Sequence, residues 1–97
     1  MKTEKNLNTL LLQIDSIRDI SEYSMNRLQL IAEKAVKIIT NKNPESESII
    51  ELKKAIDNSN DFHKKRVHRD GDNIMNVLRQ TKFAIESFLY KEFGADF

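Results

Sequence analysis

Cysteine is absent from the 97 residues of the chain. Without thiols the protein forms no disulfide, holds no metal through thiolates and performs no cysteine-based catalysis. This composition fits a reducing compartment, and we expect the protein to be cytoplasmic. A chain of this length is predicted to form one domain, residues 1–97. Such a domain buries only about two thirds of the surface that it exposes when unfolded, so a second chain would add to its stability.

Glycine and proline are also scarce, with two glycines and one proline in the whole sequence. A sheet protein needs more of both for its tight turns, which leaves helices as the predicted elements. A phosphate-binding loop needs clustered glycines so that backbone amides can approach the ligand, but Gly71 and Gly94 stand far apart. The sequence therefore argues against nucleotide-loop chemistry.

Long apolar runs and an excess of one charge are lacking as well. No segment has the roughly 20 consecutive apolar residues of a membrane-spanning helix, and we expect no membrane contact. Sixteen lysines and arginines against fifteen aspartates and glutamates leave a formal charge of +1. Because so small a net charge creates no overall attraction to nucleic acid or anionic lipid, any such binding would need a local patch.

What the sequence does contain is a helical repeat of apolar residues. In the first half of the chain these residues recur three and four positions apart, which places them on one stripe of a helix. They are Leu7, Leu10, Ile14 and Ile17 and, after an interruption at Ser21 and Ser24, Leu28, Ile31, Ala35 and Ile38. Asp19 and Glu22 are spaced like a capping box and favour a new helix near Asp19–Ser21.

The length of this first segment leaves two architectures open. An unbroken helix from about residue 5 to 41 would extend roughly 50 Å, against roughly 30 Å for the last helix. We therefore predict an all-α fold, a small antiparallel helical bundle. It has three helices if the long first helix is continuous, or four if the first segment breaks near Asp19–Ser21.

Two polar turns divide the rest of the chain. Asn43 precedes Pro44, a pair that disfavours helix before the proline and suits the first turn of the next helix. The second turn supplies Asp72 or Asn73 as a cap for the last helix, and Gly94 is placed to end that helix in a left-handed conformation. We expect helices at about 5–41, 44–68 and 73–92.

Combinations of residues that carry metal or catalytic chemistry are missing from the sequence. Helical di-metal sites use Glu-x-x-His pairs, but Asn60 and Lys65 stand three residues before the two histidines. His63 and His68 point about 140° apart on a helix, which makes them poor joint ligands. We expect no cofactor, no metal site and no enzymatic activity.

A second apolar face is the stronger functional signal. On the last helix Phe83 and Tyr90 lie opposite the predicted core stripe. Three residues of the first segment lie opposite theirs, namely Leu12, Tyr23 and Leu30. Five of the seven aromatic residues follow residue 82, Phe93 among them. Apolar patches rimmed by charge often mark association sites.

These six residues predict a non-enzymatic helical interaction protein, such as an inhibitor, an immunity-type protein, a chaperone or a regulatory factor. It would bind a protein partner, or a second copy of itself in a homo-oligomer, through an apolar helix face.

The alternative is a small nucleic-acid-binding factor. Residues 63–69 contain four fixed positive charges, which would contact phosphates through Lys64, Lys65, Arg66 and Arg69. Acidic residues on both sides of this cluster, and the preference of cations for helix C-termini, account for the same charges without a ligand. We therefore place nucleic acid second to a protein partner.

Overall fold

Helices make up nearly all of the described chain. A computed structural model describes residues 2–17, 22–65 and 71–94, with the side chains of 2–17, 23–61 and 74–94. Its helices are α1 (Lys2–Asp15), α2 (Glu22–Lys42), α3 (Glu47–Lys65) and α4 (Gly71–Phe93). The predicted all-α bundle is confirmed, and of the two architectures the structure has the one with four helices.

The first apolar stripe is divided between two helices. After Asp15 the backbone tightens, because Ser16 donates its N–H to the carbonyl of Gln13 at 3.2 Å and Ile17 donates to Ile14 at 3.0 Å. The predicted cap Asp19 lies outside the described residues. With the break in place, the longest dimension of the molecule is 39 Å, and the roughly 50 Å helix of the three-helix alternative does not form.

A single hydrophobic core runs between the four helices. Its members follow the three-and-four spacing that puts one stripe of each helix toward its neighbours. The buried apolar residues are Leu7, Leu10, Leu11, Ile14, Met25, Leu28, Ile31, Ala32, Ala35, Ile39, Ile49, Leu52, Ala55, Ile74, Val77, Ala84, Ile85, Phe88 and Leu89. Two residues of the predicted stripe, Ile17 and Ile38, are instead half-buried at the edge of this core, as are Ile56 and Leu78.

The order of the helices around the bundle decides which surfaces share a side. α1 packs on α2 and α4, and α3 also packs on α2 and α4, while the described parts of α1 and α3 do not touch. α2 and α4 also meet across the centre. Since each of these two helices turns its core stripe toward the other, their outer faces point in different directions.

The turn between α2 and α3 positions the start of α3. Asn43 Oδ1 accepts a hydrogen bond from the backbone N–H of Glu45 at 3.2 Å, which forms a turn before the helix. Ser46 Oγ then accepts the N–H of Ser48 at 3.2 Å and caps the helix. α3 therefore begins at Glu47, three residues later than the proline pattern indicates.

The end of α4 is fixed by a glycine and by a contact with the same turn. Gly94 has φ 66° and donates its N–H to the carbonyl of Tyr90 at 2.9 Å, as predicted for a left-handed helix end. Asn43 Nδ2 donates to Glu92 Oε1 at 3.0 Å. The last turn of α4 is thereby linked to the end of α2. None of the described helices combines the length and the apolar character that a bilayer crossing requires.

Candidate interaction surface

Each helix of the bundle carries large apolar side chains that face outward. More than half of the surface of each is exposed, in contrast to the nearly complete burial of the core. These side chains are Leu12 (70%), Tyr23 (67%), Leu30 (57%), Ile50 (57%), Phe83 (68%) and Tyr90 (64%). Scattered exposed apolar residues are normal in proteins, whereas exposed apolar residues that lie side by side often mark a contact surface.

On α4 the exposed rings belong to one row, which we call the α4 outer row: Arg79, Phe83, Glu86 and Tyr90. At 3.6 residues per turn these four side chains fall within about 60° of one another around the helix. Phe88, on the opposite side of the same helix, is 1% exposed. The row therefore alternates charge and aromatic ring along the outer surface of the bundle.

Beside this row lies a groove between α3 and α4, with a volume of about 390 Å³. Its rims are Ile50 of α3 and Phe83 of α4, both more than half exposed. Three small residues also line it, Ser48, Ala84 and Ser87, and the first two are buried. Because these lining side chains are small, the groove leaves room for an apolar group of another molecule.

Polar contacts between α3 and α4 bound this α3/α4 groove. Lys91 Nζ lies 3.5 Å from Glu47 Oε2, and Gln80 Nε2 donates to Glu51 Oε2 at 3.5 Å. Both contacts are long and both ends of the Lys91–Glu47 pair are well exposed, so they contribute little to the stability of the fold. They place charge around an apolar centre, which is the usual layout of a protein contact surface.

The exposed residues of α2 form a separate surface. Arg27 lies over the ring of Tyr23, 5.9 Å from its centroid, and donates from Nη2 to Ser16 Oγ at 3.3 Å. Leu30 borders a shallow depression of about 240 Å³ together with Asn26 and Gln29. Since the outer faces of α2 and α4 point in different directions, Tyr23 and Leu30 do not extend the α4 outer row.

Phe93, also named from the sequence as a contact residue, lies differently. It is half-buried against the core, with its ring edge-on to Phe88 at a centroid distance of 6.4 Å and an interplanar angle of 77°. Lys42 Nζ lies over the ring of Phe93, 5.9 Å from its centroid. The structure thus places Phe93 where it holds the end of α4 against the bundle.

Ile50 is a large apolar residue of the groove that the sequence-based prediction of contact residues does not include. Ile49 and Ile50 are adjacent, so they point about 100° apart on a helix and only one of them fits the core stripe. Ile49 is buried at 8% exposure, whereas Ile50 is at 57%. The same angular comparison that singles out Phe83 would have found Ile50, because it lies almost opposite the buried Leu52.

The basic cluster at residues 63–69 lies largely outside the described residues. Lys64 and Lys65 lie in the last turn of α3, with side chains that the structure does not describe, and Arg66 and Arg69 lie outside the described residues. The predicted nucleic-acid contact therefore stays a prediction. Within the described residues no three His, Asp or Glu side chains group as metal ligands.

No family model, curated protein or solved structure that was compared with the chain matches it.

Proposed function

We propose that this protein is a non-enzymatic interaction protein that binds another protein chain through the α4 outer row and the adjoining α3/α4 groove. The observation that carries the proposal is the grouping of Phe83, Tyr90 and Ile50 on one side of the bundle, each more than half exposed. An inhibitor, an immunity-type protein, a chaperone or a regulatory factor works in this way, by covering a surface of its target.

The physical reason is the cost of leaving aromatic rings in water. Burying a ring such as Phe83 removes a large apolar area from solvent, at about 25 cal/mol for each Å². Aromatic side chains have few rotatable bonds, so they lose little conformational entropy when a partner orders them. Aromatic anchors at the centre of a charged rim are also the residues that usually dominate binding energy.

The α4 surface is a better candidate than the α2 surface. Tyr23 is already partnered by Arg27, which stacks over its ring, and the depression beside Leu30 is lined by the amides Asn26 and Gln29. The α3/α4 groove instead has two apolar rims and small lining residues. A partner side chain that enters the groove contacts Ile50 and Phe83 at once.

Site-specific photo-crosslinking in cells tests this proposal. A benzophenone-bearing phenylalanine analogue replaces Phe83 in one variant, Tyr90 in a second and Leu30 in a matched control on α2. We expect irradiation to attach a protein at positions 83 and 90, with a much weaker product at position 30. A chain that stays uncrosslinked at both 83 and 90, or that reacts equally at all three positions, would contradict the proposal.

A further inference from the structure

The α4 outer row has an order of charges that is complementary to itself. Arg79 lies four residues before Phe83, and Glu86 lies three residues after it. Along a helix axis these separations are about 6 Å and about 4.5 Å, so the two charges flank the ring almost symmetrically. If the row meets a second copy of itself running in the opposite direction, each positive group faces a negative one.

We infer that the occupant of this surface is a second copy of the chain, with the two α4 helices antiparallel and a two-fold axis close to Phe83. This inference rests on the proposed function, because it assumes that the α4 outer row binds a protein. In this arrangement Arg79 of each copy lies opposite Glu86 of the other, which gives two ion pairs around a central pair of rings. Such an interface closes on itself, as in most homodimers.

The two charges are available for an intermolecular contact. Other charged residues of the same helix have partners within the chain: Lys82 Nζ lies 3.2 Å from Asp15 Oδ1, and Lys91 pairs with Glu47. In the described part of the chain, neither Arg79 nor Glu86 forms an ion pair. The contact therefore uses them without breaking an existing interaction.

Parallel pairing of the two helices does not fit the same residues. It would place Arg79 against Arg79 and Glu86 against Glu86, and like charges in contact oppose association. The overall charge of +1 raises no long-range barrier between two copies. The charge pattern thus selects both the occupant and its direction.

The α3/α4 groove gives the central rings a place to pack. With the axis near Phe83, Phe83 of the partner subunit lies over the small residues Ala84 and Ser87 and reaches the rim at Ile50. Tyr90 lies seven residues from the axis residue, and exposed Asn76 lies the same distance on its other side. Each Tyr90 therefore covers Asn76 of the partner subunit.

Charge exchange combined with sedimentation equilibrium tests the pairing. Arg79→Glu places two acidic residues opposite each other, and Glu86→Arg places two basic residues opposite each other. We expect the wild type to be dimeric at about 100 µM and each single variant to raise the dissociation constant at least about tenfold. The double variant R79E/E86R exchanges the charges and should return to within about threefold of the wild type.

Controls with the same change in net charge separate pairing from overall repulsion. Lys34→Glu and Glu33→Arg lie on exposed positions of α2 and should leave the dissociation constant within about twofold. Far-ultraviolet circular dichroism should show equal helicity in all variants, since each change is on an outer face. F83S/Y90S should be monomeric.

A monomeric wild type at about 100 µM overturns the inference. A double variant that associates more weakly than either single variant also overturns it. If Arg79 of one copy faces Glu86 of the other, exchanging the two charges must restore the affinity. The crosslinking experiment distinguishes these failures from a failure of the proposed function. A product at position 83 whose mass differs from two copies of the 11.3 kDa chain supports the proposed function and removes the homodimer.

Discussion

Ser59 Oγ donates a hydrogen bond to Gln29 Oε1 at 2.9 Å and so joins α3 to α2. Ser59 is completely buried, whereas Gln29 is half-buried and its Nε2 lies 3.3 Å from Glu33 Oε1. A buried hydroxyl requires a partner, and here the partner comes from the neighbouring helix. The bond therefore fixes the register of two helices as well as satisfying a polar group.

Ser59→Ala should lower the free energy of unfolding by about 1 kcal/mol, because it removes one net hydrogen bond and leaves Gln29 able to reach water. Urea denaturation followed by circular dichroism measures the change. A double-mutant cycle with Gln29→Ala isolates the pair, and we expect a coupling energy of about 0.5–1 kcal/mol. Strictly additive single effects would mean that the two side chains do not stabilise each other.

Phe83 and Phe88 provide a matched comparison on one helix. Phe88→Ala should cost about 3–5 kcal/mol of stability, because the ring is 1% exposed and its removal leaves a cavity in the core. Phe83→Ala should change the stability of the monomer by less than about 1 kcal/mol, since this ring is 68% exposed. Thermal unfolding of dilute samples measures both. Equal losses would show that Phe83 belongs to the folding core.

Ser46→Ala should destabilise the protein by about 1 kcal/mol, because the N–H of Ser48 then loses its capping acceptor. Ser46→Asn is the control, since asparagine caps as well as serine does and should retain most of the stability. The midpoint of urea unfolding reports both variants. If alanine and asparagine give the same midpoint, the cap does not contribute measurably.

The nucleic-acid alternative makes a prediction that does not involve α4. A variant with Lys64, Lys65, Arg66 and Arg69 changed to alanine should form the same crosslinked product at position 83 as the parent chain. Binding of the parent chain to mixed DNA and RNA, measured at two salt concentrations, should be absent or weak. Tight binding with a steep dependence on salt, lost in the variant, would favour the nucleic-acid function instead.

Apolar periodicity was enough to predict the all-α fold and most of the core, because burial follows the angular position of residues such as Leu28 and Phe88. It did not fix every helix start, since α4 begins at Gly71, ahead of the caps predicted for it. The left-handed helix end at Gly94 could also be predicted from the sequence, since glycine is the usual residue in a backbone conformation with positive φ. The sequence left undecided whether the first segment breaks after α1, because the apolar stripe continues on both sides of the break. The structure shows α1 and α2 as separate helices that both pack on α4.

Part of the candidate surface could be predicted from the sequence for the same reason. Angular position alone found the outward rings of Phe83 and Tyr90. It did not show that the ring of Phe93 packs edge-on against Phe88, because the surroundings of this ring also include Lys42 at the end of α2. Nor did it show that Ile50 borders the same groove as Phe83, since periodicity describes one helix at a time and a groove belongs to two.

The contacts between the end of α4 and the turn after α2 also affect the proposed contact surface around Tyr90. Terminal helical turns usually fray, and a frayed turn would leave the ring of Tyr90 without a defined position. The hydrogen bond from Asn43 to Glu92 and the packing of Phe93 hold that turn before any partner arrives. The proposed contact surface is therefore ordered in the free chain, and a partner that binds there would have less disorder to remove around Tyr90.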